Sequence, residues 1–395
     1  MKSVKIFLLF YNAHNFFKEF VLLYPVYMLL FESKGLSFLE ISLLLVIWSA
    51  SVILLEIPSG MLADRWSRKT MLVAGSVFKL ACFVLWLLAD GFVLFAAGFV
   101  LWGMQEAMCS GAAEAVLFET LEQHGLSEDY EKHTGKAGFW AGMGLVMAML
   151  LGGYAAATGF GLAAVGSVAS LTISLLTALL LKEPPKGKGS DDTEEPPMGF
   201  KELLARCRSN KAIAVILLFC AGVVIVPGVL EEYDQLYAQQ LGLSLGQIGI
   251  WGALRIGAES LGRRFAYKLK RLFDSVGRLC WLGIAGGLLL LVSAYGFSMY
   301  LLPVYALFYA LVSGGHVLAE GMLQRLAASE HRATLLSINS LLMNVASIAV
   351  LLGFSGLSDG MGLRIGFIIM ALFLVLTALL TMLFGRKAKN VEPQL

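Results

Sequence analysis

Apolar residues run along this chain in long blocks, and polar residues collect between them. Twelve such runs fall near residues 6 to 31, 39 to 63, 70 to 89, 92 to 118, 137 to 157, 161 to 181, 212 to 238, 245 to 266, 279 to 296, 299 to 324, 335 to 354 and 364 to 384. A helix of about 20 residues crosses the hydrocarbon core with its backbone bonds satisfied internally. Each run therefore predicts a membrane-crossing helix, and the chain an all-α polytopic membrane protein with twelve transmembrane helices. The first run is broken early by Asn12, His14, Asn15, Lys18 and Glu19, and no small-x-small cleavage site follows. It is expected to be a retained first span rather than a signal peptide.

One long polar interruption, from Lys182 to Pro197, is rich in Pro, Gly and both charge signs and cannot bury enough surface to fold alone. It divides the chain into a six-helix half over 1–181, a cytoplasmic linker over 182–211, a second half over 212–384 and a tail over 385–395. Within the linker, Phe200, Leu203, Leu204 and Cys207 form a helical stripe with basic residues elsewhere, the pattern of a short surface helix. The halves carry a trace of each other. Lys34-Gly-Leu-Ser-Phe-Leu-Glu-Ile41 after the first run resembles Leu241-Gly-Leu-Ser-Leu-Gly-Gln-Ile248 after the seventh, at an offset of 207. Parallel repeats give such a match at the same point in each half.

Composition agrees: 58% of residues are apolar and 15% charged, against roughly 45–50% and about 25% in soluble domains. Cys82, Cys109, Cys207, Cys220 and Cys280 lack metal-site or disulfide-framework spacing. A net charge of +2 says little, but Lys and Arg gather after the even-numbered runs, with Lys34 and Arg364 among the few on the other side. The positive-inside rule then puts both termini in the cytoplasm, and short outer loops point to a bacterial inner membrane.

Gly60-Met-Leu-Ala-Asp64-Arg65-Trp-Ser67-Arg68-Lys69, between the second and third runs, resembles the G-x-L-A-D-R-x-G-R-K signature of the major facilitator superfamily. The resemblance extends over essentially the whole chain through the twelve spans and the central linker. It implies two pseudo-symmetric halves, a cytoplasmic latch of Gly60, Asp64, Arg65 and Arg68, and a monomer. Ser67 replaces the second glycine, which is expected to alter the turn. Glu56-Ile-Pro58-Ser-Gly60 is similar to an efflux-type branch of the family, although the span-4 arginine and span-5 proline of drug and proton antiporters are absent. The glycines at 138, 142, 144, 152 and 153 remain, and they allow close helix packing.

Charged groups in mid-bilayer cost about 2.5–3.5 kcal/mol each on insertion scales, so their positions are informative. Span 1 carries His14, Lys18 and Glu19; span 4, Glu106, Glu114 and Glu119; span 7, Glu231, Glu232 and Asp234; span 10, His316 and Glu320. In the fold this chain resembles, those four spans surround the substrate cavity, while spans 3, 6, 9 and 12 face lipid. Lys79 in span 3 is the exception, and either snorkels or pairs with an acid. His316, Glu320 and Gln324 share a helix face, as do Arg255 and Glu259 on span 8. The latter are either a structural ion pair or part of the site. Glu56, Glu114 and Glu119 approach the cytoplasmic end and are expected as latch partners. Pro227 and Gly228 suggest a kink beside the span-7 acids, which either line the cavity or close an outer gate. Tyr24, Tyr27, Tyr233 and Tyr237 are expected to be interface anchors.

Acids outnumber bases among these deep groups, which favours a cationic or zwitterionic substrate, proton coupling, or both. The expected cavity set is Lys18, Glu19, Glu106, Glu231, Glu232, Asp234, Arg255, Glu259, His316 and Glu320. No phosphate-binding G-x-x-x-x-G-K-[ST] loop occurs, so no cofactor is expected and a proton gradient would supply the energy. The expected partners are a small-molecule substrate and the bilayer, with no metal or nucleic acid and no enzymatic reaction. The leading expectation is a proton-coupled exporter of small organic molecules. A uniporter or importer of a polar metabolite or metal chelate is the first rival, and a non-transporting sensor the second.

Overall fold

The computed structural model describes residues 2–109, 112–182, 211–326 and 332–389, and the expected linker helix lies outside them. Among these residues the chain is helical, in the order α1 Lys2–Glu19, α2 Tyr27–Ser33, α3 Phe38–Arg65, α4 Arg68–Leu88, α5 Phe92–Cys109, α6 Ala112–Gln123, α7 Tyr130–Thr158 and α8 Phe160–Leu180, followed by α9 Lys211–Phe219, α10 Ile225–Gln240, α11 Leu245–Leu269, α12 Val276–Gly296, α13 Leu302–Leu326, α14 Arg332–Met361 and α15 Leu363–Lys389. Among the described residues, ten helical segments are long and apolar enough to cross a membrane. The helices α1 and α11, in the first and eighth runs, fall outside that set.

Two compact units emerge: Met1–Asp192 with Leu243–Ala253, and Thr193–Gly242 with Leu254–Leu395. In the first, α4 packs on α5 and α8, and α1 on α7 and α8; in the second, α12 packs on α13 and α15. The short internal match has a physical basis. Gly35 and Gly242 adopt left-handed conformations, φ 83° and 86°, where a side chain would be strained. Two residues later, Ser37 and Ser244 start the next helix with the same reciprocal bonds. Glu40 N donates to Ser37 Oγ (3.3 Å) and Ser37 N to Glu40 Oε2 (2.8 Å). In the second unit Gln247 N donates to Ser244 Oγ (3.5 Å) and Ser244 N to Gln247 Oε1 (2.8 Å).

The first run is not one helix. α1 stops at Glu19, residues 20–26 leave the helix with turns over 22–26, and α2 begins at Tyr27. Pro25 lacks an N–H, and the turns close on short-range bonds such as Tyr24 N to Val21 O. A stripe on α8 supports the interruption: Ser167 Oγ accepts from Leu23 N (3.0 Å), and Ser170 Oγ donates to Phe17 O (2.8 Å). Glycines on α7 permit close approach, since a Cβ at Gly144 would strike Phe16 O and one at Gly152 Leu22 O; Gly138 and Gly142 face open space.

Span 7 also departs from a plain α-helix just before Pro227. Cys220–Val224 widens into a π-turn between α9 and α10. Pro227 has no N–H to offer the carbonyl four residues back, that of Val223, and the wider turn lies where that bond is missing. Gly222 O there accepts from Thr377 Oγ1 of α15 at 2.9 Å. Ser67 does not need the family's glycine conformation: its backbone is extended, φ −75°, and its Oγ accepts from Thr70 N at 3.1 Å, capping α4. The expected interface tyrosines are core residues instead. Tyr27, Tyr233 and Tyr237 are buried, and Tyr24 stacks on Trp102 at 5.7 Å. Aromatic neighbours within each unit supply a better-packed apolar surface than the lipid interface does.

Candidate functional site

Each unit gathers its own polar cluster. In the second, α10 presents Glu231 and Asp234 three residues apart on one face, and α11 presents Arg255 and Glu259 four apart. Arg255 Nη1 lies 2.8 Å from Glu231 Oε2, its Nε 3.1 Å from Asp234 Oδ2, and its Nη1 3.7 Å from Glu259 Oε2. Thus the Arg255–Glu259 pair within one helix is its longest ion contact, and the helix-to-helix pairs are shorter. The Arg255 guanidinium also sits 5.1 Å from the centre of the Tyr309 ring.

Asp234 is 4% exposed. Its Oδ1 accepts from Tyr305 OH at 2.5 Å and from Tyr309 OH at 3.1 Å, both on α13. Each phenol has one proton, so the 3.2 Å contact between the two hydroxyls carries no bond while both donate to the carboxylate. Oδ2 has the ion pair to Arg255 but no aligned hydrogen bond. Glu259 accepts from Ser313 Oγ at 3.0 Å and pairs with the more exposed Arg263 at 3.4 Å. Three carboxylates thus converge on one buried arginine, and two phenols hold the deepest of them. Protonating Asp234 removes one of the negative charges facing Arg255 and changes which bonds the phenols make.

Sequence reasoning brought Glu231, Asp234, Arg255 and Glu259 into one list without joining spans 7 and 8, and it missed Tyr305, Tyr309 and Ser313. Their spacing of four along span 10 was the available signal. Glu232, His316 and Glu320 are half-buried, and the side chain of Gln324 lies outside the described residues.

In the first unit, Lys18 Nζ pairs with Glu19 Oε1 at 3.3 Å, and Glu106 is half-buried on α5. Lys79 does not snorkel, and among the described residues it has no ion pair within 4 Å, although its charge acts on Glu19: it is 2% exposed, with Nζ 5.5 Å from the Tyr24 ring centre and 5.4 Å from that of Trp102. Span 3 therefore does not simply face lipid. His14 is buried, and its Nδ1 lies 3.0 Å from Ser174 O. A carbonyl only accepts, so Nδ1 carries the proton.

At the expected latch, Arg68 Nε stands 3.9 Å from Glu119 Oε1. Glu56 and Glu114 are exposed. The backbones of Gly60, Asp64 and Arg65 belong to α3, whereas the side chains of Asp64 and Arg65 lie outside the described residues. No group of three His, Cys, Asp or Glu able to hold a metal occurs among the described residues.

Known proteins place this architecture. A Bacillus subtilis (strain 168) protein described as an uncharacterized MFS-type transporter, YxaM, is 20% identical over 368 residues, 90% of each chain. Among solved structures, a bacterial homologue of the human lysosomal transporter Spinster, inward-facing and unoccupied, superposes with a TM-score of 0.76 at 18% identity, covering 100% of this chain and 98% of that one. The nucleoside transporter NupG gives 0.75 at 13% identity, covering 97% and 99%. The peptide transporter PepTSo of the POT family gives 0.73 at 14%, covering 99% of each. The Major Facilitator Superfamily profile itself matches residues 8–329. With its apolar helices, this integral membrane protein is a transporter rather than an enzyme, and the chain belongs to the Major Facilitator Superfamily.

Proposed function

We propose that the chain is a twelve-span secondary transporter that works by alternating access and couples the movement of a small organic molecule to protons. Two six-helix halves over 1–181 and 212–384 are joined by the cytoplasmic linker 182–211, with the tail 385–395 and both termini cytoplasmic. The protein acts as a monomer in a bacterial inner membrane.

The observation that carries proton coupling is the Asp234 cluster. One buried arginine faces three carboxylates, and the deepest carboxylate is held by two phenols. A proton on Asp234 frees Arg255 from one of its partners, and its loss restores the ion pair, which gives the site two bonding states linked to protonation. The substrate reading is a zwitterionic or cationic molecule, and export rests on the similarity of Glu56 to Gly60 to efflux-type permeases. The basic loop would latch the cytoplasmic end, with Arg68 and Glu119 as one contact.

Everted membrane vesicles test this reading. With an established inward-acid gradient, a panel of ethidium, tetraphenylphosphonium, glycine betaine, uridine and dialanine is added while a pH-sensitive dye reports the gradient. At least one compound is expected to dissipate it, and only in vesicles containing the protein. Uptake of a panel compound without proton movement would instead support a uniporter.

A further inference from the structure

Where α11 passes into α12 across a turn over residues 270–275, the second unit carries positive charges that no neighbouring acid answers. The stretch holds Arg263, Arg264, Lys268, Lys270, Arg271 and Arg278. Arg263 is spent on Glu259 at 3.4 Å and Arg278 on Asp274 at 3.1 Å, and no other acid occurs between Glu259 and Asp274. Arg264, Lys268, Lys270 and Arg271 are exposed, and none has an ion pair within 4 Å among the described residues. The basic turn of the first unit differs, because Lys69 Nζ donates to Leu179 O at 2.9 Å and Arg68 stands opposite Glu119.

Positive charge alone is what loops on one side of a membrane carry. The apolar side chains set among these bases are the distinguishing feature. Tyr267 is 68% and Leu272 62% exposed, and Lys268 Nζ sits 4.8 Å from the centre of the exposed Phe265 ring. α12, apolar and long enough to cross a membrane, starts at Val276, so the turn lies at the depth of lipid headgroups. There the rings and the leucine reach acyl chains while ammonium and guanidinium groups meet phosphates. Arg264 and Lys268 lie four apart on one face of α11. A guanidinium gives a phosphodiester paired hydrogen bonds, and an ammonium adds a point charge beside it. A soluble phosphate would meet the charges but leave the apolar side chains in water.

We propose that the α11–α12 turn docks the headgroup of an anionic phospholipid, with Arg264, Lys268, Lys270 and Arg271 as its counter-charges and Phe265, Tyr267 and Leu272 against its acyl chains. The site lies within the second unit, leaves the Asp234 cluster untouched, and gives the transporter a lipid partner besides its substrate.

The test is native mass spectrometry of the full chain in detergent, titrated with dioleoyl-phosphatidylglycerol or dioleoyl-phosphatidylcholine. Phosphatidylglycerol is expected to bind at least tenfold more tightly. Removing each base should weaken its binding about fivefold, and Arg264→Gln, Lys268→Gln, Lys270→Gln and Arg271→Gln together should abolish the preference. Removing the exposed first-unit lysines by Lys5→Gln, Lys132→Gln and Lys136→Gln should change it less than about twofold. Glycerol 3-phosphate, a headgroup without chains, should not displace the lipid.

Should the fourfold variant fail to fold, Tyr267→Trp in an otherwise unchanged chain keeps the test open. In phosphatidylcholine bilayers doped with brominated phosphatidylglycerol, its added emission should be quenched more than with the same fraction of brominated phosphatidylcholine, and the difference should fall as salt rises. Equal binding of the two lipids overturns the proposal, as does a preference that survives the fourfold variant or is lost equally in the first-unit variant. Displacement by glycerol 3-phosphate also overturns it, by assigning the turn to soluble phosphates, and so does equal quenching of Tyr267→Trp by both brominated lipids. No gradient or substrate is involved, so this result and that of the proton-coupling test are independent.

Discussion

Removing Arg255 should damage the second unit far more than removing any one of its acids. The asymmetry follows from the ion contacts. Arg255→Gln strips the common partner from Asp234, Glu231 and Glu259, whose side chains are 6%, 38% and 13% exposed. Glu231 keeps water and adds least, while Glu259 retains Ser313 and Arg263. Asp234 retains two phenols but no positive charge. Breaking a buried pair by removing one partner costs about 3–5 kcal/mol, and the Asp234 and Glu259 terms put this variant in that range.

Asp234→Asn leaves Arg255 with two carboxylates and forfeits two bonds to a charged acceptor. That is a cost of about 1.5–3 kcal/mol after relaxation. The double variant should cost less than the sum, with a coupling of about 1–3 kcal/mol. Unfolding by sodium dodecyl sulfate in mixed micelles, followed by helical circular dichroism at neutral pH, measures all three. Acidification neutralises the stranded carboxylates of Arg255→Gln and protonates Asp234 itself in wild type, so both deficits should shrink as pH falls. If Arg255→Gln proves no more costly than Asp234→Asn, the three acids are not held together by this arginine and the reasoning fails.

Other consequences are direct. Tyr305→Phe and Tyr309→Phe each delete one donor to Asp234 and should each cost about 1.5–3 kcal/mol in the same assay. Gly144→Ala places a Cβ against the Phe16 carbonyl and should cost about 1–3 kcal/mol; Gly142→Ala, with open space around it, should unfold like wild type. Asp64→Asn should lower transport with substrate binding nearly intact, and unchanged turnover would remove Asp64 from the latch. Arg68→Gln should shift stability by less than about 1 kcal/mol, because its pair with Glu119 is long and partly exposed; its effect should appear in transport rate instead.

Much of the fold was legible because lipid imposes a simple rule: long apolar runs must be helices. Local chemistry was legible too, as the matching Gly-Leu-Ser starts of α3 and α11 show. What stayed hidden depends on which way each helix faces. In a membrane the core side and the lipid side are both apolar, so periodicity does not separate them. That is why Lys79 looked like a misplaced charge on a lipid-facing span, and why Tyr27, Tyr233 and Tyr237 looked like interface anchors. Ser167, Ser170, Ser174 and Thr177 formed a readable stripe at helical spacing, but its meaning needed the interrupted α1 beside it. Likewise Arg255 and Glu259 were a pair on paper, and only the packing of α10 on its neighbours made Glu231 and Asp234 the nearer partners.

Internal pH, read by a trapped fluorophore in proteoliposomes, tests the central claim most directly, with wild type and Asp234→Asn compared during transport of a compound identified in the vesicle panel. The account predicts that wild type moves protons with the compound, and that Asp234→Asn still exchanges labelled for unlabelled compound but moves no protons. Equal proton movement in both proteins, or compound flux without protons in wild type, would contradict it.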